Sequence, residues 1–209
     1  MKLTTEQIAK IDEILENHGL DFLDFKLEIK DHFATHIEDL CKNQNSTFEE
    51  ALTIVLKEWE SSLVLKHSIW ISNKRSFSVV VLNAIKKRYI IYSSITLPII
   101  LGVSVLYFKE FETANTKGTM FYIGAILFLS LFILRYFISI NKQETSYSYE
   151  FSRIYKMATF FLFFGVASYF VPAAYPMGLF WNSTIIAYFP IAIYSYIKHM
   201  QFKKHLNIV

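Results

Sequence analysis

Apolar residues follow two different rhythms along this chain, and the change near residue 66 divides it. In the first third they recur every three to four positions, the spacing of one buried helical stripe. Ile8, Ile11 and Leu15 form one such face, closed by Asn17-His18-Gly19. Phe22, Phe25, Ile29, Phe33, Ile37 and Leu40 form a second, broken by Asn43-Gln44-Asn45, and Phe48, Leu52, Val55, Trp59 and Leu63 form a third. Thr4 with Gln7, Asp21, and Ser46 with Glu49 are the expected caps of the three helices. A short oxygen-bearing side chain at a helix start accepts a backbone N–H that has no partner within the helix.

Further on, the rhythm gives way to uncharged runs: Tyr89–Phe108, Gly118–Leu134 and Met157–Ile197. About 20 apolar residues cross the hydrocarbon core of a bilayer as a helix. The last run has 41 residues. As one helix it would be about 60 Å long against a core of about 30 Å, so it is expected to fold back. Pro172, Pro176, Gly178 and Asn182 supply the breakers. The expected fold class is all-α, with a small three-helix cytoplasmic domain over residues 1–65 and a four-helix transmembrane bundle over 89–209. The four spans fall at about 89–108, 119–140, 156–171 and 179–197. Pro98 and Pro190 are expected to kink theirs. Between the two parts, residues 66–88 form a basic linker whose Ile69-Trp70-Ile71 and Phe77–Leu82 read as a helix lying in the membrane interface. Burial of Val79–Leu82 against the spans is the alternative, because that stretch is apolar all round.

Charge sharpens the division. Residues 1–65 carry 14 of the 18 Asp and Glu against 6 Lys, about −8, and the remainder carries about +11. The cations flank the apolar runs, where they mark the cytoplasmic side of a membrane rather than a nucleic-acid surface. From the segment before the first span to the tail, their counts alternate 6, 2, 3, 0, 3. That alternation places both termini in the cytoplasm of a multi-pass protein of the cell (inner) membrane, held by Lys86, Lys87 and Arg88 at the first span. Arg135, inside the second span, reads as a further anchor that snorkels to the headgroups. The amino terminus shows no signal peptide. Cys41 is the only cysteine, which excludes an internal disulfide. The spans hold no other buried ionisable group and no nucleophile–base pair, which argues against an intramembrane enzyme and against ion-coupled transport by this chain alone.

One polar constellation stands out. Asp24, Glu28, His32 and His36 are spaced four apart, so they line one side of the second helix, with Asp31 and Asp39 beside them. Glu28, His32 and His36 are candidate ligands for a zinc-like ion. His32-Phe33-Ala34-Thr35-His36 lacks the glutamate that a metalloprotease places after its first histidine, so hydrolysis is not expected. The other two readings are histidines bonded to nearby carboxylates and a protonation switch. No cofactor is indicated.

The run Asp24-Phe25-Lys26-Leu27-Glu28-Ile29-Lys30-Asp31-His32-Phe33-Ala34, with Phe48-Glu49-Glu50-Ala51-Leu52 and Trp59, resembles the small helical head of many bacterial membrane proteins of unknown function. That head is similar to the HAAS-type accessory domains often encoded beside PadR-like transcription regulators. The likeness covers about residues 4–65 and is silent about the spans. Lys26 stands where it would place arginine, and His36 lies outside its pattern. It implies a regulatory or accessory role without catalysis, and a protein partner for which Asp24, Glu28, Asp31 and His32 are the candidate contacts. A three-helix head has a limited core, so it is expected to lean on a partner, on another copy of itself as a homo-oligomer, or on membrane lipid. The alternative is a membrane subunit of a transporter or export complex, for which Ser93, Ser94, Thr96 or Ser168 would line a water path.

Overall fold

The computed structural model describes residues 2–69, 71–109, 114–140, 144–171 and 175–205. Trp70, Lys109-side loop residues such as Glu110 and Glu112, Lys142 and Pro172 are sequence features that lie outside the described residues or their described side chains. Among the described residues the protein is helical apart from one hairpin: α1 (Thr5–Asn17), α2 (Leu23–Asn43), α3 (Phe48–Leu63), β1 (Leu65–Ser68), β2 (Ser72–Ser78), α4 (Val79–Lys109), α5 (Ala114–Ser139), α6 (Ser146–Phe170) and α7 (Tyr175–His205). It forms two compact units. One is Met1–Arg88 with Glu144–Ser146, here called the head; the other is Tyr89–Gln143 with Tyr147–Val209, the helical unit.

In the head, α1 starts at a capping box in which the Thr4 side chain accepts from Gln7 N–H and the Gln7 side chain accepts from Thr4 N–H. It ends on Gly19 at φ +72°, a left-handed conformation that glycine adopts without a Cβ penalty. A Cβ there would also meet Leu65 Cδ2 at 2.4 Å. Helix α3 starts one residue later than the sequence suggested, on a capping box of Thr47 and Glu50. Ser46/Glu49 and Thr47/Glu50 have the same spacing; Glu49 is instead drawn into an ion pair with Lys10 at 2.7 Å. Asp21 does not cap α2. Phe22 occupies that position without a side-chain cap, and the Leu23 N–H donates to the Glu144 carbonyl at 3.1 Å.

The buried stripes meet as their periodicity requires, with Ile11, Leu15, Ile29, Phe33, Ile37, Leu52, Val55 and Leu63 buried and Ile8 left at the surface. Phe33 and Trp59 rings lie 5.3 Å apart. The basic linker is not a helix in the interface plane. Its first half is an antiparallel hairpin pairing Leu65 with Ser78 and Lys66 with Phe77. Its second half is the beginning of α4, whose Val81, Leu82 and Ile85 are buried. Phe77 stacks on Phe22 at 5.3 Å, so hairpin and helices share one core.

The helical unit is built from the greater part of α4 and from α5, α6 and α7. Leu131 and Ile138 of α5, Phe151, Ile154 and Ala158 of α6, and Ile185 and Ala192 of α7 form its core. Pro98 and Pro190 lie inside the continuous helices α4 and α7. The third expected span begins ten residues late: α6 starts at Ser146, not near Lys156. Asn182 is no breaker but a buried residue within α7. Among the described residues two helices, Val79–Leu106 and Phe121–Ser139, are long and apolar enough to cross a membrane. The four-span bundle expected from the uncharged runs is therefore met in two helices, because lack of charge is not the same as apolarity. Along α7 the run is diluted by Asn182, Ser183, Thr184, Tyr188, Tyr194, Ser195 and Tyr196.

Candidate functional site: the acidic strip of α2 and the loop it holds

The spacing of four in α2 does not keep its polar residues together. Helical advance turns Asp24 inward, where it is buried, while Glu28, Asp31 and His32 are exposed and make no ion pair among the described residues. His36 is half-buried, with Nδ1 3.4 Å from Glu58 Oε2 on α3. Glu28, His32 and His36 are not drawn into a metal site: among the described residues no group of three or more His, Cys, Asp or Glu side chains could hold an ion. The neighbouring lysines face the other way. Lys26 reaches Glu16 at 2.5 Å and Lys30 reaches Asp12 at 3.1 Å, both on α1. Together these half-buried pairs neutralise that side of α2. What remains open is an acidic strip with one histidine.

Asp24 does different work. Its Oδ1 accepts the Ser146 backbone N–H at 2.8 Å, and its Oδ2 accepts the Ser146 hydroxyl. Ser146 is the first residue of α6, whose first-turn N–H groups have no partner inside the helix. A buried carboxylate 122 residues away in sequence thus caps α6. Arg88 Nη2 donates to the same Ser146 Oγ at 2.8 Å, and its guanidinium lies 5.6 Å from the Phe25 ring centre. Arg75 Nη1 donates to Glu144 Oε2 at 2.6 Å. The segment Glu144–Ser146 is therefore gripped from α2, the hairpin and α4 within a single unit. Of the four candidate partner contacts, one is an internal clamp.

The anchors separate in the same way. Lys86 and Lys87 are exposed, whereas Arg88 is half-buried. Arg135 is half-buried too, donating to Ser152 Oγ on α6 and lying 5.9 Å from the Tyr155 ring centre. Its partners are protein groups.

In the helical unit the usual distribution of polarity is reversed. Ile90, Ile95, Leu97, Leu101 and Leu106 of α4 and Tyr122, Ile126, Leu129 and Phe132 of α5 are exposed, while Glu150, Asn182, Ser183, Thr184, Ser195, His199 and Lys203 are buried. Glu150 accepts from the Tyr92 hydroxyl at 3.3 Å. Asn182 sits in a notch between two glycines: a Cβ on Gly124 would come within 2.6 Å of its Oδ1, and one on Gly165 within 3.5 Å. Ser104 Oγ and Ser183 Oγ lie 3.4 Å apart. At the carboxyl end of α7, burial first and the Lys203 charge second push the His199 imidazole down to about 4. Burial likewise lowers Lys203. Ser93 and Ser94 face outward, with Ser94 Oγ returned to the Ile90 carbonyl at 2.9 Å, and the Ser168 side chain lies outside the described ones.

Sequence reasoning passed over Glu144, Ser146 and Glu150, and took Asn182 for a helix breaker. Extending the third helix backward along Tyr147, Phe151, Ile154 and Ala158 would have brought Ser146 and Glu150 into it. A separate open groove of about 540 Å³ runs between the end of α1 and α3, lined by His18, Leu56, Lys57, Glu60 and Leu65 among others. No family model, curated protein or solved structure matches this chain.

Proposed function

We propose that this chain is a multi-pass protein of the cell membrane, with four spans at about 89–108, 119–140, 156–171 and 179–197, within α4 to α7, and both termini in the cytoplasm. Its acidic head would serve a regulatory or accessory role by engaging a protein partner, without chemistry of its own. The observation that carries the membrane reading is the reversed polarity of the helical unit. Within the apolar windows of α4 and α5, only 11% and 17% of residues are buried. A core helix of a water-soluble protein is mostly buried, whereas lipid solvates outward-facing isoleucine and leucine and leaves polar side chains to pair inside. Supporting the head's role are the exposed strip of Glu28, Asp31 and His32 and the resemblance of residues 4–65 to HAAS-type accessory domains. A complementary partner carries a basic surface.

The test is a photo-crosslinking residue in place of exposed Thr35, one turn beyond Asp31, in intact membranes. One discrete partner is expected, captured with the full chain and lost when Glu28→Lys and Asp31→Lys reverse the strip, with membrane insertion unchanged. Equal capture by the chain with the reversed strip would refute the assignment.

A further inference from the structure

We infer that the tip of the β1–β2 hairpin is a second, peripheral membrane contact that docks on the headgroup region of an anionic lipid surface. The inference rests on the reading of Tyr89–Phe108 as a span. Its first support is local architecture. The Ile71 N–H donates to the Ser68 carbonyl at 3.0 Å, closing a tight turn that leaves Ile69 75% exposed. Directly after it, Ser72 Oγ accepts the N–H groups of Lys74 and Arg75 at 3.1 and 3.0 Å. The ladder steps from His67–Ser76 to Ser68–Ser72, so residues between Ser72 and Ser76 bulge out of the pairing. A serine-held bulge carrying Lys74 and the Glu144-paired Arg75 thus follows an isoleucine that is 75% exposed, while Ile71 and Phe77 are buried in the head. Lys66 and His67 on β1 are exposed as well.

The second support is chain position. Strand β2 ends at Ser78 and the uncharged run begins at Tyr89, so only the first turns of α4, about 15 Å of helix, separate the base of the hairpin from the span.

Charge decides what covers the tip. Residues 66–88 contain Lys66, Lys74, Arg75, Lys86, Lys87 and Arg88 and no acidic residue, in contrast to the strongly acidic segment before them. An exposed apolar side chain in a segment rich in cations and free of acids fits phosphate headgroups above an acyl boundary. The acidic remainder of the head is repelled by the same surface, so the contact also orients it.

The experiment uses the full chain with Cys41→Ser and Ile69→Cys, labelled with an environment-sensitive fluorophore. It is reconstituted in phosphatidylcholine vesicles with or without phosphatidylglycerol. Relative to the same label at exposed Glu13, several-fold brighter emission, quenched by lipids brominated close to the headgroup, is expected in the anionic vesicles. Lys66→Gln with Lys74→Gln should remove most of that gain. Emission at position 69 equal to that at position 13 in both vesicles overturns the inference, as does brightening in detergent that follows protein concentration and so reports a second copy. A parallel label at Leu97, exposed in the middle of the apolar run, separates the two readings. Deep-lipid quenching at 97 without any at 69 leaves the span and removes the hairpin contact; no quenching at 97 removes both.

Discussion

Replacing Asp24 by alanine tests how the Glu144–Ser146 segment is held within the head. The carboxylate is 7% exposed and accepts two hydrogen bonds from Ser146. A hydrogen bond to a charged group is worth about 1.5–3 kcal/mol, and loss of a helix cap costs about 0.5–2 kcal/mol. Both bonds share one carboxylate, so they are not additive, and Asp24→Ala is expected to cost about 2–4 kcal/mol. Asp24→Asn keeps an acceptor for the Ser146 N–H and should cost about half as much. The readout is hydrogen exchange at the backbone amides of Ser146 to Tyr149 in the detergent-solubilised full chain, because exchange reports local opening that a global melt would hide. Protection should fall in both variants, and Asp24→Ala with Ser146→Ala should show a coupling of about 0.5–3 kcal/mol. Protection at Ser146 unchanged within about 0.5 kcal/mol would refute the clamp. Loss of partner capture by Asp24→Ala without any loss of protection would instead return Asp24 to the binding surface.

Phe77→Ala should destabilise the head by about 3–5 kcal/mol, since the ring is fully buried against Phe22; thermal unfolding followed by Trp59 fluorescence checks it. Gly124→Ala drives a methyl into Asn182 Oδ1 and should lower stability by about 1–3 kcal/mol, with Asn182→Ala in the same chain restoring most of it; thermal aggregation in detergent measures both. His199 is held neutral in the folded chain down to about pH 4, whereas the unfolded chain protonates it near its ordinary value of 6.5. Its contribution is therefore present above pH 6.5 and lost as pH falls toward 4. Melting across that window should steepen less in His199→Gln, and a folded-state titration near 6.5 by NMR would contradict the assignment.

Much of the head was legible because its determinants are local. Three-four spacing put Ile29, Phe33 and Ile37 on one face, and Thr4, Gln7 and Gly19 marked the ends of α1. The start of α3 was ambiguous because Ser46 and Thr47 each have a glutamate three residues on; only the pairing of Glu49 with Lys10 from another helix separates them. The hairpin was hidden by brevity: Ile69-Trp70-Ile71 and Phe77-Ser78-Val79 are too short for one period to exclude another. Its alternating Ser76, Phe77 and Ser78 were the available signal. The Asp24–Ser146 clamp could not be read at all, since nothing local relates residues 122 apart. Nor could spacing show that Asp24 faces inward while Glu28 faces outward. That difference depends on what docks against the first turn of α2, here the Glu144 carbonyl.

Solvation of α4 to α7 by lipid is the claim beneath the rest, and alkaline carbonate washing of membranes from cells expressing the full chain tests it most directly. The protein is expected to stay in the pellet and to need detergent for release. Its appearance in the carbonate supernatant would contradict the account.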